Sequence, residues 1–143
     1  MVHYLKNLLS IILGLTLIIL SNINGHFNPP FSIEATPFLI TLTIALINYP
    51  LYNANFTLTV FYNFGLLLFN DVFIRSYAGG AHDNEGKGWI CLFSTIAFIV
   101  AVISMLGYAF SDKRKDSLKT NIVTIMLSAI ATTLIYFSSI ADM

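Results

Sequence analysis

The chain has 143 residues, of which 57% are hydrophobic and only 10% charged, against roughly 25% charged in soluble proteins. A water-soluble fold of this length has too much surface for its volume to hide that apolar content, so composition points instead to a helical membrane protein. Seven basic and seven acidic residues balance to zero, which leaves no positive field for nucleic acid and no polybasic tract for lipid headgroups.

A helix needs about 20 mostly apolar residues to cross roughly 30 Å of hydrocarbon. On that measure the sequence predicts one polytopic domain over residues 1–143: an all-α bundle of five transmembrane helices at about 5–23, 36–52, 55–74, 89–110 and 118–140.

The first, 5–23, is nearly all Leu and Ile after Lys6. A cleaved signal peptide is the competing reading, but no small-x-small cleavage site follows in Ser21-Asn22-Ile23-Asn24. Ser10 and Gly14 are its only small pair at i, i+4, so this span is expected to face lipid. Segment 24–35 has no Lys or Arg and reads as a loop.

The apolar stretch 36–74 is too long for one ordinary span. Its weak point is Tyr49-Pro50-Leu51-Tyr52-Asn53-Ala54-Asn55, where proline removes a backbone donor and asparagine favours a turn. Two spans joined by a tight hairpin follow. Thr36-Pro37 suits the start of the first, as a cap followed by a first-turn proline. Asn63 is the most polar side chain near any span centre, and interhelical hydrogen bonding is its expected role. No span carries an ionisable residue near its middle, which argues against a proton- or ion-coupled carrier.

The loop expected over 75–88 and the residues before it hold most of the polar character. Four of the eight glycines lie between Gly79 and Gly88, where positive φ could expose backbone N–H groups to an anion. Asp71 and Arg75, at i, i+4, are expected to pair near the membrane boundary. His82, Asp83 and Glu85 form a compact set of candidate metal ligands or proton-transfer groups, and His26 or Glu34 would complete a metal site. A solvated loop is the plain alternative. Trp89 fits an interfacial aromatic belt. Neither a phosphate-binding loop, a dinucleotide fingerprint, a nucleophile elbow nor a His-Glu-x-x-His zinc motif is present.

In the last two spans small residues recur at helical spacing: Ser94, Ala97, Ala101 and Ser104, then Ser128, Ala131 and Thr132. These faces suit close helix contact, within the chain or between copies of it. Cys91 is the sole cysteine and forms no intrachain disulfide. Lys6 and the cluster Lys113, Arg114, Lys115 and Lys119 fall on one side only with an odd number of spans, which puts the N-terminus in the cytoplasm and the C-terminus and 75–88 outside.

The function expected is a small homo-oligomeric pore, channel or membrane effector, with Asp71, Arg75, His82, Asp83 and Glu85 at the mouth of a ring of subunits. An outward-facing enzyme with a His/carboxylate site, or a non-catalytic subunit of a larger membrane complex, are the alternatives. Nothing in the sequence requires a cofactor. The partners expected are the bilayer and further copies of the chain, with no nucleic acid.

Overall fold

The computed structural model describes residues 2–47, 55–78, 84–111 and 118–141. Among them every regular element is a helix: α1 Val2–Phe27, α2 Pro29–Leu42 continued by a π-helical turn Thr43–Ile47, α3 Phe56–Ser76, α4 Asn84–Ser111 and α5 Leu118–Ala141. Four of the five are long and apolar enough to cross a membrane, over Leu5–Phe27, Phe56–Ser76, Glu85–Phe110 and Leu118–Tyr136. At 1.5 Å per residue, the 14 residues of α2 cover about 21 Å, less than a bilayer core.

The expected loop at 24–35 is instead a helix–helix corner. Asn28 precedes a proline, which disfavours its α conformation, and it sits at φ −138° and ψ 81°. Pro29 and Pro30 then occupy the first helical positions, where a missing N–H leaves nothing unpaired. The break is one residue wide: the N–H of Asn28 reaches back to Asn24 O at 3.0 Å, and Asn28 O accepts from Phe31 N–H at 3.0 Å. The helix therefore starts one prolyl pair earlier than Thr36-Pro37, and Pro37 lies inside it.

The N-terminus of α3 agrees with the expected span start. Asn55 is extended (φ −155°, ψ 106°), and its side chain accepts from Leu58 N–H at 2.9 Å, which caps the helix. Helix α4 begins earlier than position 89. Residues 84–88 are its first turns, so Gly86 and Gly88 are helical rather than part of a loop. Glu85 sits in that first turn, where the helix dipole favours a carboxylate.

The helices alternate in direction. Gly14 faces Thr43 and Gly25 faces Ser32, so α1 and α2 run antiparallel. Tyr62 Oη donates to Ile11 O at 2.5 Å and Asn22 Nδ2 to Asn70 Oδ1 at 2.7 Å, so α3 runs with α1. One end of the bundle therefore gathers the C-terminal parts of α1, α3 and α5 with the N-terminal parts of α2 and α4.

Helix α3 is central and packs on all four others. It contributes Phe56, Val60, Phe64, Leu66 and Leu67 to a core completed by Ile18, Ile40, Ile44, Ala97, Ala101, Met105 and Ile125. The small-residue face of α4 is buried here: Ser94, Ala97 and Ala101 point inward, while Met105 takes the inward place and Ser104 is half-buried. On α5, Ser128 and Thr132 are buried beside Asn121 and Ile125, but Ala131 is exposed. Helix α1 does not face outward on every side. Ser10, Gly14, Ile18, Ser21 and Gly25 form a buried row at three- and four-residue spacing against α2 and α3. Away from the core each helix shows large apolar side chains, such as Leu13, Phe38, Val72, Ile103 and Leu134, which suits hydrocarbon and not water.

Candidate functional site

Consecutive helical residues point about 100° apart. Asn70 and Asp71 of α3 therefore face different neighbours, and a layer of buried polar groups runs from them into both parts of the bundle.

On the α1–α2 side, Asn22 Nδ2 donates to Ile18 O at 2.9 Å as well as to Asn70 Oδ1 at 2.7 Å. Asn70 Nδ2 donates to Thr36 Oγ1 at 2.9 Å, and Thr36 passes its own proton to Ser32 O at 2.8 Å. Three helices are joined by directed hydrogen bonds, each with one proton. Ser21 Oγ, Asn22 Oδ1 and Ser32 Oγ, all buried here, have no partner among the described residues.

On the α4–α5 side, Asp71 is only 4% exposed. Arg75 Nε lies 2.8 Å from its Oδ2 and Arg75 Nη2 3.2 Å from its Oδ1, and Ser94 Oγ donates to Oδ1 at 3.0 Å. The guanidinium rests 5.5 Å from the centre of the Tyr136 ring, a cation–π contact. Burying either charge alone is expensive, and the fork geometry with an added hydroxyl is what makes this pair tolerable in an apolar bundle.

Beside this pair is a cavity of about 190 Å³ between α3, α4 and α5. Asp71, Ser94 and Thr95 form its polar end. Leu67, Leu68 and Phe98 line the apolar part, and α5 closes it with Thr132, Thr133 and Tyr136. Leu67 is one helical turn from Asp71, or about 6 Å deeper into the bundle.

The residues singled out in the sequence are distributed unevenly. Asp71 and Arg75 come together as their spacing predicts. Asp71 turns into its own bundle, not toward an outer rim. Glu85 is exposed at the start of α4, and Glu34 is exposed on α2. His82 and Asp83 lie outside the described residues, as do the 48–54 turn and the basic segment 112–117. No group of three His, Cys, Asp or Glu side chains is placed to hold a metal among the described residues. His26 is committed to Tyr77: the rings stack at 4.7 Å, and His26 Nδ1 donates to Tyr77 O at 3.0 Å, which ties the ends of α1 and α3. Asn63 donates to Thr59 O at 2.8 Å within its own helix. Sequence reasoning missed Asn22, Asn70, Thr36 and Tyr136. Asn22 and Asn70 were visible as amides inside apolar helices, but nothing in the sequence paired them.

No protein-family model, curated protein or solved structure matches this chain.

Proposed function

We propose that the chain is a membrane-embedded bundle that binds an amphiphilic small molecule in the cavity between α3, α4 and α5. The observation that carries this is the buried Asp71, held by Arg75 and Ser94 at one end of an otherwise mainly apolar chamber. Sites for small molecules are concave, largely apolar and marked by a few convergent polar groups. An ionisable residue inside a membrane bundle is costly, and such residues mark functional sites more often than structural ones.

In this reading α2 crosses with the other four. It lies against α1, α3 and α4, it carries apolar side chains outward at Phe31, Phe38 and Leu42, and its π-helical turn extends it past Leu42. Five crossings keep Lys6 and the Lys113–Lys119 cluster on one face, the cytoplasmic one by the positive-inside rule.

The binding role is tested by extracting purified protein and identifying small molecules by mass spectrometry. The wild type is expected to carry one amphiphile close to stoichiometrically, and Thr133→Phe, which fills the chamber from α5, is expected to lose it. Equal recovery from both proteins would remove the proposal.

Self-association is a second reading, favoured by one observation. Gly65 and Gly107 lie on exposed helix faces with nothing within 4 Å of an added Cβ, so another backbone can approach closely there. A pore formed this way would draw its mouth from exposed groups such as Glu85, since Asp71 is occupied inside each subunit. Gly107→Leu is expected to shift a native oligomer to monomer; an unchanged mass would dismiss this contact.

A further inference from the structure

The chemical character of the chamber wall narrows what it can hold, given the binding role proposed above. Most polar hydrogens around the chamber are already aimed at the protein. Ser94 donates to Asp71, Thr95 Oγ1 donates to Cys91 O at 2.7 Å, and Thr133 Oγ1 donates to Ala129 O at 2.8 Å. Tyr136 Oη points its proton to Cys91 O at 3.4 Å. Arg75 directs Nε and Nη2 at the Asp71 carboxylate. At the polar end the wall therefore offers lone pairs, from the hydroxyl oxygens of Ser94 and Thr95 and the carboxylate itself, while α5 adds the hydroxyls of Thr132 and Thr133. A hydroxyl oxygen accepts as readily after donating its proton as before.

Charge narrows the choice further. Asp71 is neutralised by Arg75 at 2.8 Å, so an ammonium head would have to displace the guanidinium, and a carboxylate head at that end would meet the lone pairs of Asp71, Ser94 and Thr95. A neutral donor satisfies the wall without disturbing the pair. Size sets the rest: a cavity of about 150 Å³ accommodates benzene, so about 190 Å³ takes about eight non-hydrogen atoms.

We propose that the chamber takes a neutral amphiphile with a hydroxyl head, its proton given to the acceptors at Asp71, Ser94 and Thr95 and its chain lying against Leu67, Leu68 and Phe98. A longer chain would leave the chamber between the helices toward the bilayer.

The test uses the full chain in nanodiscs and an octanol carrying a diazirine in its chain. Ultraviolet labelling, mapped by peptide mass spectrometry, is expected on α3, α4 and α5 around the chamber and is expected to vanish in Thr133→Phe. Leu68→Phe fills the same space from α3 and serves where the first variant does not fold. Competition then separates the chemistry: 1-octanol is expected to displace the probe about tenfold better than octyl methyl ether, the effect of one hydrogen bond to an acceptor of this kind. Equal competition by the ether, or better competition by octylamine, overturns the hydroxyl assignment while leaving the binding chamber in place. Labelling elsewhere, or labelling indifferent to both filling variants, overturns the chamber as well.

Discussion

Asp71 shows how a single residue sets the character of the bundle. Its carboxylate is buried, and three donors converge on it from Arg75 and Ser94. Removing it leaves a buried guanidinium without its anion, so Asp71→Ala is expected to destabilise the protein by about 3–5 kcal/mol. The joint replacement Asp71→Leu with Arg75→Met leaves no charge to strand and is expected near the wild type in stability. Unfolding in a mixed-micelle denaturant titration separates the two, and equal losses in both proteins would mean that packing, not charge, matters there. Asn70 makes the same point with neutral groups. It accepts from Asn22 and donates to Thr36, so Asn70→Leu strands two partners and is expected to lower stability by about 1–3 kcal/mol in the same titration. A loss under half that would show that these amides find other partners.

Helix contacts turn on glycines in different surroundings. A Cβ at Gly14 would run into Tyr62 Oη and lie 3.2 Å from the Thr43 methyl, and one at Gly25 would meet Ser32. Gly25→Val is thus expected to cost about 1–3 kcal/mol through overpacking of the α1–α2 corner. Gly65→Ala has open space and is expected to be neutral or to stabilise by up to about 1 kcal/mol through helix propensity. Thermal melts of both variants check the contrast; a destabilising Gly65→Ala would indicate that this face is covered in the folded protein.

The same scale shows what was legible in the sequence. The start of α3 was legible to within a residue because Pro50 and the asparagines after it are local turn signals, whereas the capping role of Asn55 emerged only in the structure. Segment 24–35 was misread because its asparagines and paired prolines resemble loop composition, yet Pro29 and Pro30 at the first turn start a helix as well as they end one. The start of α4 was hidden by Gly86 and Gly88, which weaken local helix propensity until packing supplies the difference. The Asp71–Arg75 pair was visible from i, i+4 spacing. Ser94 and Tyr136 were not, since they reach the pair from helices distant in sequence and only packing brings them there.

For the whole molecule, the polar layer links all five helices near one end. Helix α1 supplies Asn22, α2 Thr36, α3 Asn70 and Asp71, α4 Ser94, and α5 the Tyr136 ring beneath Arg75. Directed bonds of this kind specify register where apolar faces alone would permit sliding. If all five cross, the two termini lie on opposite faces. In a Cys91→Ser background, cysteines introduced at Val2 and Met143 are expected to react with an impermeant maleimide from opposite sides of sealed vesicles. Labelling of both from one side would mean that α2 does not cross.

The most direct measurement is native mass spectrometry of the chain released from nanodiscs, comparing wild type with Thr133→Phe. One adduct of constant mass per wild-type chain is expected, lost in the variant, whichever oligomer carries it. A wild-type chain that flies bare, or an adduct retained by the filled variant, would contradict the proposed binding role.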